Sequence, residues 1–182
     1  MPSPRRIEAE LKAEIALRRE FASLDEQALL AFIWTEVRLH KISYTFFEGF
    51  GLTDAQFNAL MILRDYRRLH QWELAAILVV NRASAGSVLD RLVRRGLVRR
   101  EEDAKDRRAN FVSITAEGER LLNAVVRPYY RLLPDLFKGM SASDKHRFLE
   151  LLHVFRGNVR ALEGRLETDK HRPPSEAGEE AS

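Results

Sequence analysis

The chain of 182 residues predicts a mainly α-helical protein with one two-stranded β-wing. Three observations carry that reading. Apolar residues recur at helical spacing through most of the chain. Hydroxyl-bearing or Asn residues stand where these periodic runs begin, as helix caps do. One stretch alone, Leu97 to Ile114, reads as two short strands around an almost entirely polar loop.

Residues 1–22 form an arm. Ile7, Leu11, Ile15 and Phe21 lie near helical spacing, while Pro2 and Pro4 mark a frayed start. A helix this short is marginal alone and needs a partner surface. Residues 23–51 carry a long helix, Asp25 to Glu48. Its capping box is Ser23-Leu-Asp-Glu26, a hydroxyl on the third amide with the glutamate reaching back. Leu29, Leu30, Ile33, Val37 and Tyr44 make its apolar stripe, widened by Phe32, Trp34, Phe46 and Phe47, and Gly49 and Gly51 end it.

Residues 52–115 form a separate lobe. Thr53-Asp-Ala-Gln56 is a second capping box, leading a helix with Phe57, Leu60, Met61 and Leu63 that runs to Tyr66. Arg67 to His70 make a turn, Trp72 to Leu78 a short helix, and Val79-Val80 a tight turn. Asn81 caps the next helix, Arg82 to Arg95, and Gly96 stops it where a left-handed residue is wanted. Leu97 to Glu101 and Asn110 to Ile114 are the strands, and Glu102 to Ala109 projects between them as the wing.

Residues 116–167 return to helix. Thr115 caps it, and Glu117 and Glu119 suit the positive end of the helix dipole. It extends to Met140, with Pro128 and Pro134 expected to kink or interrupt it. Ser141 to Asp144 start a last helix whose apolar side holds Phe148, Leu151, Leu152, Phe155, Val159 and Leu162. The tail, 168–182, is polar, contains proline and reads as disordered. Long helices at both ends, each with an apolar stripe, read as dimerisation helices around a winged helix-turn-helix.

Composition narrows the function. The chain is 45% apolar, the value of an ordinary globular protein, and its formal net charge is only +3. The distribution is more telling than the total. Arg82, Arg91, Arg94, Arg95, Arg99, Arg100, Lys105, Arg107 and Arg108 fall within one motif, against five acids. Local positive excess of this kind is the footprint of phosphate binding. Absence of cysteine excludes disulfides, thiolate metal sites and thiol redox sensing. No stretch approaches the ~18 apolar residues of a membrane span, and the N-terminus has no continuous apolar signal core, so a cytoplasmic location is expected. The five histidines do not cluster at metal-ligand spacing, and no cofactor is expected. No phosphate-cradling glycine loop, nucleophile elbow or paired His-Glu metal motif is present, so the sequence does not read as an enzyme.

In the helix from Arg82, the residues Ala85, Val88, Leu89 and Leu92 form the core stripe. The other face carries Arg82, Ala83, Ser84, Gly86, Ser87 and Asp90, followed by Arg91 and Arg94. Small residues at its start allow close approach to base edges. Arg82 is placed to make bidentate contacts to guanine in the major groove, and Ser84 and Ser87 to reach phosphate or base edges. In the wing, Lys105, Arg107 and Arg108 face the duplex, with an arginine suited to a narrow minor groove. Asp106 is the wing support: a carboxylate beside two guanidiniums holds one in place and leaves the other for DNA.

The block LAAILVVNRASAGSVLDRLVRRGLVRREEDAKDRRANFVSITAEG resembles the MarR (multiple antibiotic resistance regulator) family of bacterial transcription factors. The likeness lies in RLVRRGLVRR, in Asp106-Arg107-Arg108 and in the junction VSITAEG, with LTDAQFNALMIL before them. It spans Asp25 to Leu166 in order of elements, and its specific part is Leu52 to Leu121. The resemblance implies a homodimer with interlaced terminal helices. It also implies a ligand-responsive repressor on a pseudo-palindromic operator. Two departures stand out: Gly86 occupies a position where the family usually has a polar DNA-facing residue, and the arm is longer than common.

The resemblance further implies a small aromatic or phenolic ligand held between the dimer arms and the DNA lobe. Trp34, Arg38, His40, Tyr44, Phe47 and Phe57 are the residues to line such a cleft, although core and dimer packing accounts for any one of them. The competing function is a winged-helix protein-protein interaction module without sequence-specific DNA binding.

Overall fold

The structure, a computed structural model, describes residues 3–78, 82–102 and 110–170. In chain order its elements are α1 (Pro4–Glu14), α2 (Leu24–Glu48), α3 (Asp54–Tyr66), β1 (Leu69–His70), α4 (Gln71–Ile77), α5 (Arg82–Arg94), β2 (Val98–Glu102), β3 (Asn110–Ile114), α6 (Ala116–Leu136) and α7 (Ala142–Lys170). The chain divides into two compact units, Met1–Pro128 and Tyr129–Ser182.

The mainly α-helical architecture with its β-wing is as the sequence predicts, with one addition. The sheet has three strands, in the order β1-β3-β2, all antiparallel. Strands β2 and β3 pair from Val98↔Ile114 to Glu102↔Asn110. Leu69 and His70, expected as turn, pair with Val112 and Phe111. Two residues are too few to show the alternation by which a strand is recognised, and the pairing depends on a distant partner. Glu102, expected to open the wing loop, is the last residue of β2; the rest of that loop, 103–109, and the Val79-Val80 turn with its Asn81 cap lie outside the described residues.

The core of the first unit is built on α3. Leu60 and Leu63 of that helix have no exposed surface, nor do Leu74 of α4, Leu89 and Leu92 of α5, Val112 of β3 or Leu122 and Val125 of α6. Burial of each such side chain contributes roughly 1.5–3 kcal/mol. Phe47, the one buried residue of α2, stacks on Phe57 of α3 with ring centroids 4.5 Å apart. That contact ties the long helix to the lobe.

The caps explain where the helices start. Thr53 and Gln56 close a complete capping box: the Gln56 amide donates to Thr53 Oγ1 at 3.2 Å, and the Thr53 amide to Gln56 Oε1 at 3.0 Å. At α2 only half of the expected box forms. The Glu26 amide donates to Ser23 Oγ, but the Glu26 carboxylate accepts instead from the Ala22 amide at 2.6 Å and from Arg19. The guanidinium pulls it one residue further back. The last helix begins as expected, with Asp144 accepting from the Ser141 amide and hydroxyl. It continues to Lys170, three residues beyond the expected Glu167.

Neither proline interrupts the helix. Helix α6 runs through both Pro128 and Pro134 to Leu136. Pro134 falls in its last turn, where the donor it lacks would have met the Tyr130 carbonyl. Pro128 stands where the two compact units divide, so the missing amide falls at a boundary rather than in the core. The helix ends four residues before the expected Met140, and Gly139 follows with φ +84°.

Four short contacts lock the base of the wing. The Leu97 amide donates to the Leu92 carbonyl at 3.0 Å, and the Thr115 amide to the Leu97 carbonyl at 3.0 Å. Thr115 Oγ1 donates to the Gly96 carbonyl at 2.6 Å and accepts from the Gly118 amide at 3.1 Å. Gly118 is buried there. A Cβ at Gly118 would lie 2.2 Å from the Leu97 carbonyl oxygen and 2.7 Å from Ile114 Cγ1.

Backbone cannot move aside for a methyl group, so Gly118→Ala is expected to destabilise by about 2–3 kcal/mol. Calorimetry should show Tm falling by roughly 4–12 °C. Gly96 has φ +68° and open space around its Cα, so Gly96→Ala should cost only about 1 kcal/mol of backbone strain. A Gly118→Ala variant as stable as Gly96→Ala would refute the packing assignment.

The junction of the arm with α2 should respond to acid. The Arg19 guanidinium, helped by the Ala22 amide, holds Glu26 down to about 2. An unfolded glutamate titrates at about 4.3. The folded value is the lower one, so the stabilisation is complete above about 4.3 and is lost as pH falls through about 2. Amide exchange around residues 19–27 should accelerate over that window in the native chain, and Glu26→Gln should abolish the pH dependence.

Candidate nucleic-acid interface

Helix α5 is amphipathic in a way that sets its orientation. Ala85, Leu89 and Leu92 are fully buried against α3, α4 and the sheet. Ala83, Ser84, Ser87, Asp90, Arg91 and Arg94 are consequently exposed along one stripe. From Ala83 to Arg94 the helix rises about 16 Å, longer than the ~12 Å width of a major groove. Val88, placed with the core from its spacing, is half-buried.

Not every residue of the expected interface lies on that stripe. Gly86 is half-buried, and a Cβ there would sit 3.4 Å from Gln71 Nε2, so this position faces α4. Arg82 opens the helix as expected, and its side chain lies outside the described residues. The same holds for Lys105, Asp106, Arg107 and Arg108 of the wing.

The strand that leads into the wing is held by charge pairs. Arg100 of β2 donates to the Asp90 carboxylate at 2.8 Å, joining the wing to α5. Asp90 therefore sits in the stripe as a clamp on a neighbouring arginine. Arg99 reaches Glu101 at 3.2 Å and donates to Ser113 Oγ at 2.8 Å. Arg68 lies over the Phe111 ring, 3.7 Å from its centroid, and approaches Glu101 at 3.7 Å. His70 stacks on the same ring, with its centroid 3.9 Å from that of Phe111. Arg68 was hidden in the expected turn, because its role follows from the long-range pairing of β1 with β3.

These pairs leave an uneven distribution of positive charge. Arg99 and Arg100 are engaged, and Arg95 donates to the Gly51 carbonyl. Arg91 and Arg94 have no carboxylate partner among the described residues. Exposed pairs add little stability, but they fix which guanidiniums remain for an outside partner. The interface thus presents small side chains first and two unneutralised arginines last.

The six residues expected to line a ligand cleft are not gathered in one place. Phe47 and Phe57 are 3% and 4% exposed and face each other in the core. Trp34 and Arg38 form their own contact on α2, with the guanidinium 5.7 Å from the indole ring. His40 Nδ1 lies 3.2 Å from Asp54, whose carboxyl is pushed up by burial against the pull of that histidine. Tyr44 borders a cleft, beside Glu48 of the same helix, the Gly51–Thr53 loop and the C-terminal turn of α5. No helix among the described residues is long and apolar enough to cross a membrane.

Comparison with known proteins places this geometry. A sequence profile described as "MarR family" matches residues 50–109, from the end of α2 to the wing. The transcriptional regulator HosA of Escherichia coli O157:H7 is 36% identical over 102 residues, which cover 56% of this chain and 75% of HosA. The HTH-type transcriptional repressor YetL of Bacillus subtilis (strain 168) is 27% identical over 137 residues, covering 72% and 82%. The crystal structure of a mutant MarR from E. coli, complexed with operator DNA, superposes with a TM-score of 0.65 at 24% identity, covering 74% of this chain and 99% of that one. Profile, sequence and fold agree with the arrangement of α5, the sheet and the flanking helices, and the chain belongs to the MarR family.

Proposed function

We propose that this protein is a transcriptional repressor that binds a pseudo-palindromic operator as a homodimer and releases it when a small ligand binds. The single observation that carries the reading is the exposed stripe of α5, small at one end and cationic at the other. Arg82, Ala83, Ser84 and Ser87 contact base edges or nearby phosphates in the major groove. Arg91 and Arg94 contact phosphate, and Lys105, Arg107 and Arg108 reach the adjacent minor groove with Asp106 as support. Gly86 and Asp90 serve through the helix itself: one seats it on α4, the other holds Arg100.

Dimerisation is supported by apolar surface that one chain leaves uncovered. On α2, Leu29, Phe32, Ile33, Val37 and Ile42 are 44–51% exposed. On α7, Phe148, Leu151, Val154, Val159, Leu162 and Leu166 are 43–59% exposed. Soluble monomers rarely expose apolar residues in such runs. Two recognition helices of a dimer would stand about 34 Å apart, one turn of the duplex. The protein then acts where the chromosome is, in the cytoplasm.

The interaction-module alternative is weaker, because two arginines without carboxylate partners among the described residues would be wasted on a neutral partner. Anisotropy titration of operator and random duplexes at two salt concentrations separates the two. A regulator loses affinity steeply with salt, through release of counterions, and prefers its operator. An interaction module binds both duplexes weakly and alike.

Arg82→Ala is expected to reduce discrimination between operator and random DNA by about 1–3 kcal/mol. Arg108→Ala should weaken binding to both sequences alike and lower the salt slope by about one. Both variants behaving as the native protein on both duplexes would overturn these assignments. Light scattering should give a dimer mass; a monomer with full operator affinity would contradict the assembly.

A further inference from the structure

Phe111 of β3 is gripped from both sides. The Arg68 guanidinium lies 3.7 Å from its ring centroid, and the His70 ring centroid lies 3.9 Å away at an interplanar angle of 25°. One face of a phenyl ring has room for a single group at such distances, so the two occupy opposite faces. The Trp72 indole of α4 lies at 15° to the His70 ring, with 6.1 Å between centroids, and carries the column to the first helix of the helix-turn-helix. Across the sheet, Glu101 of β2 is the register partner of Phe111, and it meets Arg68 at 3.7 Å and Arg99 at 3.2 Å. One cluster thus joins all three strands to α4.

The cluster sits on the side of the sheet that faces away from α5. Register partners share a face and successive residues alternate, so His70, Phe111 and Glu101 lie on one face and Leu69, Val112 and Arg100 on the other. The second face is the inner one: Leu69 and Val112 are buried, and Arg100 donates to Asp90 of α5. A duplex along the exposed stripe of α5 therefore does not meet the Phe111 cluster. The cluster also lies at the outer end of the hairpin. Glu102↔Asn110, the next pair after Glu101↔Phe111, is the last before the wing loop, while the backbone bonds at Thr115 and Gly118 hold the other end, at Val98↔Ile114.

We propose that Arg68 and Phe111 are positioning residues for DNA binding: they clamp the outer end of the hairpin and so aim Arg107 and Arg108 at the minor groove without touching DNA themselves. The aiming rests on the regulator reading above; the clamp does not. A two-stranded ribbon twists more readily than a wider sheet, and β1 gives β3 two pairs, at Val112 and Phe111. The grip on the Phe111 ring does the work of a longer third strand. A flat ring held between two flat groups resists the rotation that an aliphatic side chain would allow, and each contact favours that one arrangement. Glu101 adds a second tie, since moving β2 away from β1 separates it from Arg68.

The test uses the full chain and a duplex that the native protein selects from a random pool. Arg68→Gln and Phe111→Leu should each weaken binding about tenfold, the worth of one charge-assisted hydrogen bond lost at the wing. Phe111→Tyr keeps the ring and should restore most of that loss. Added to Arg108→Ala, either change should cost little more, because the contact it aims is already gone; added to Arg94→Ala, it should cost its full factor. Without DNA, amide exchange should quicken at the Glu102–Asn110 pair and stay as in the native chain at Val98–Ile114. Full additivity with Arg108→Ala, the mark of a direct phosphate contact or of general loss of fold, overturns the proposal. Native affinity in both variants, or unchanged exchange at the outer pair, overturns it as well. A native chain that selects no duplex, with exchange quickened as stated, sinks the regulator reading and the aiming with it, while the clamp stands.

Discussion

The contact on which the rest of the interface depends is the approach of α6 to the Leu97 carbonyl. At that point α5 has just ended, β2 begins, β3 has just finished and α6 starts. Gly118 lets the α6 backbone come within a distance that no side chain would permit, and Thr115 uses its hydroxyl both to donate to Gly96 and to accept from Gly118. The four elements share one small knot of backbone bonds. The angle of α5 to the wing follows from it, and with that angle the relation of the helix stripe to the strand arginines.

Electrostatics then divides the arginines into two populations. Arg68, Arg99 and Arg100 are committed to Glu101, Asp90, Ser113 and the Phe111 ring, and they stiffen the sheet where it faces solvent. Arg91 and Arg94 are left without carboxylate partners among the described residues. A count of basic residues treats these populations alike. Only the second offers charge to an outside phosphate or carboxylate, and it does so at the edge of a cleft as well as on the helix surface.

The long helices behave differently from the lobe. Helix α2 buries Phe47 alone, through its stack on Phe57, and leaves most of its apolar stripe uncovered. Its sequence reads as a dimerisation helix, and periodicity records which face is apolar and not what covers it. A second chain supplies the missing cover in the proposed dimer, and the Phe47–Phe57 stack is where a movement of that helix would reach the lobe.

Much was legible from the residues in order. Capping boxes, the glycine that stops α5 and the apolar spacing of Ala85, Leu89 and Leu92 are local patterns, and local patterns determine which segments are helical and which face turns inward. Hence the amphipathic α5, the complete box at Thr53 and the two wing strands could be drawn from the sequence alone. Tertiary structure decided what depends on distant partners: β1 pairing with β3, Glu26 diverted to Ala22 by Arg19, Gly86 turned to Gln71, Asp90 spent on Arg100, and the separation of Phe47 and Phe57 from Tyr44. The physical reason is common to all of them. Periodicity and capping act over a few residues, whereas the competition of one carboxylate among several arginines, or of one ring between core and cleft, is settled only when the chain has brought them together.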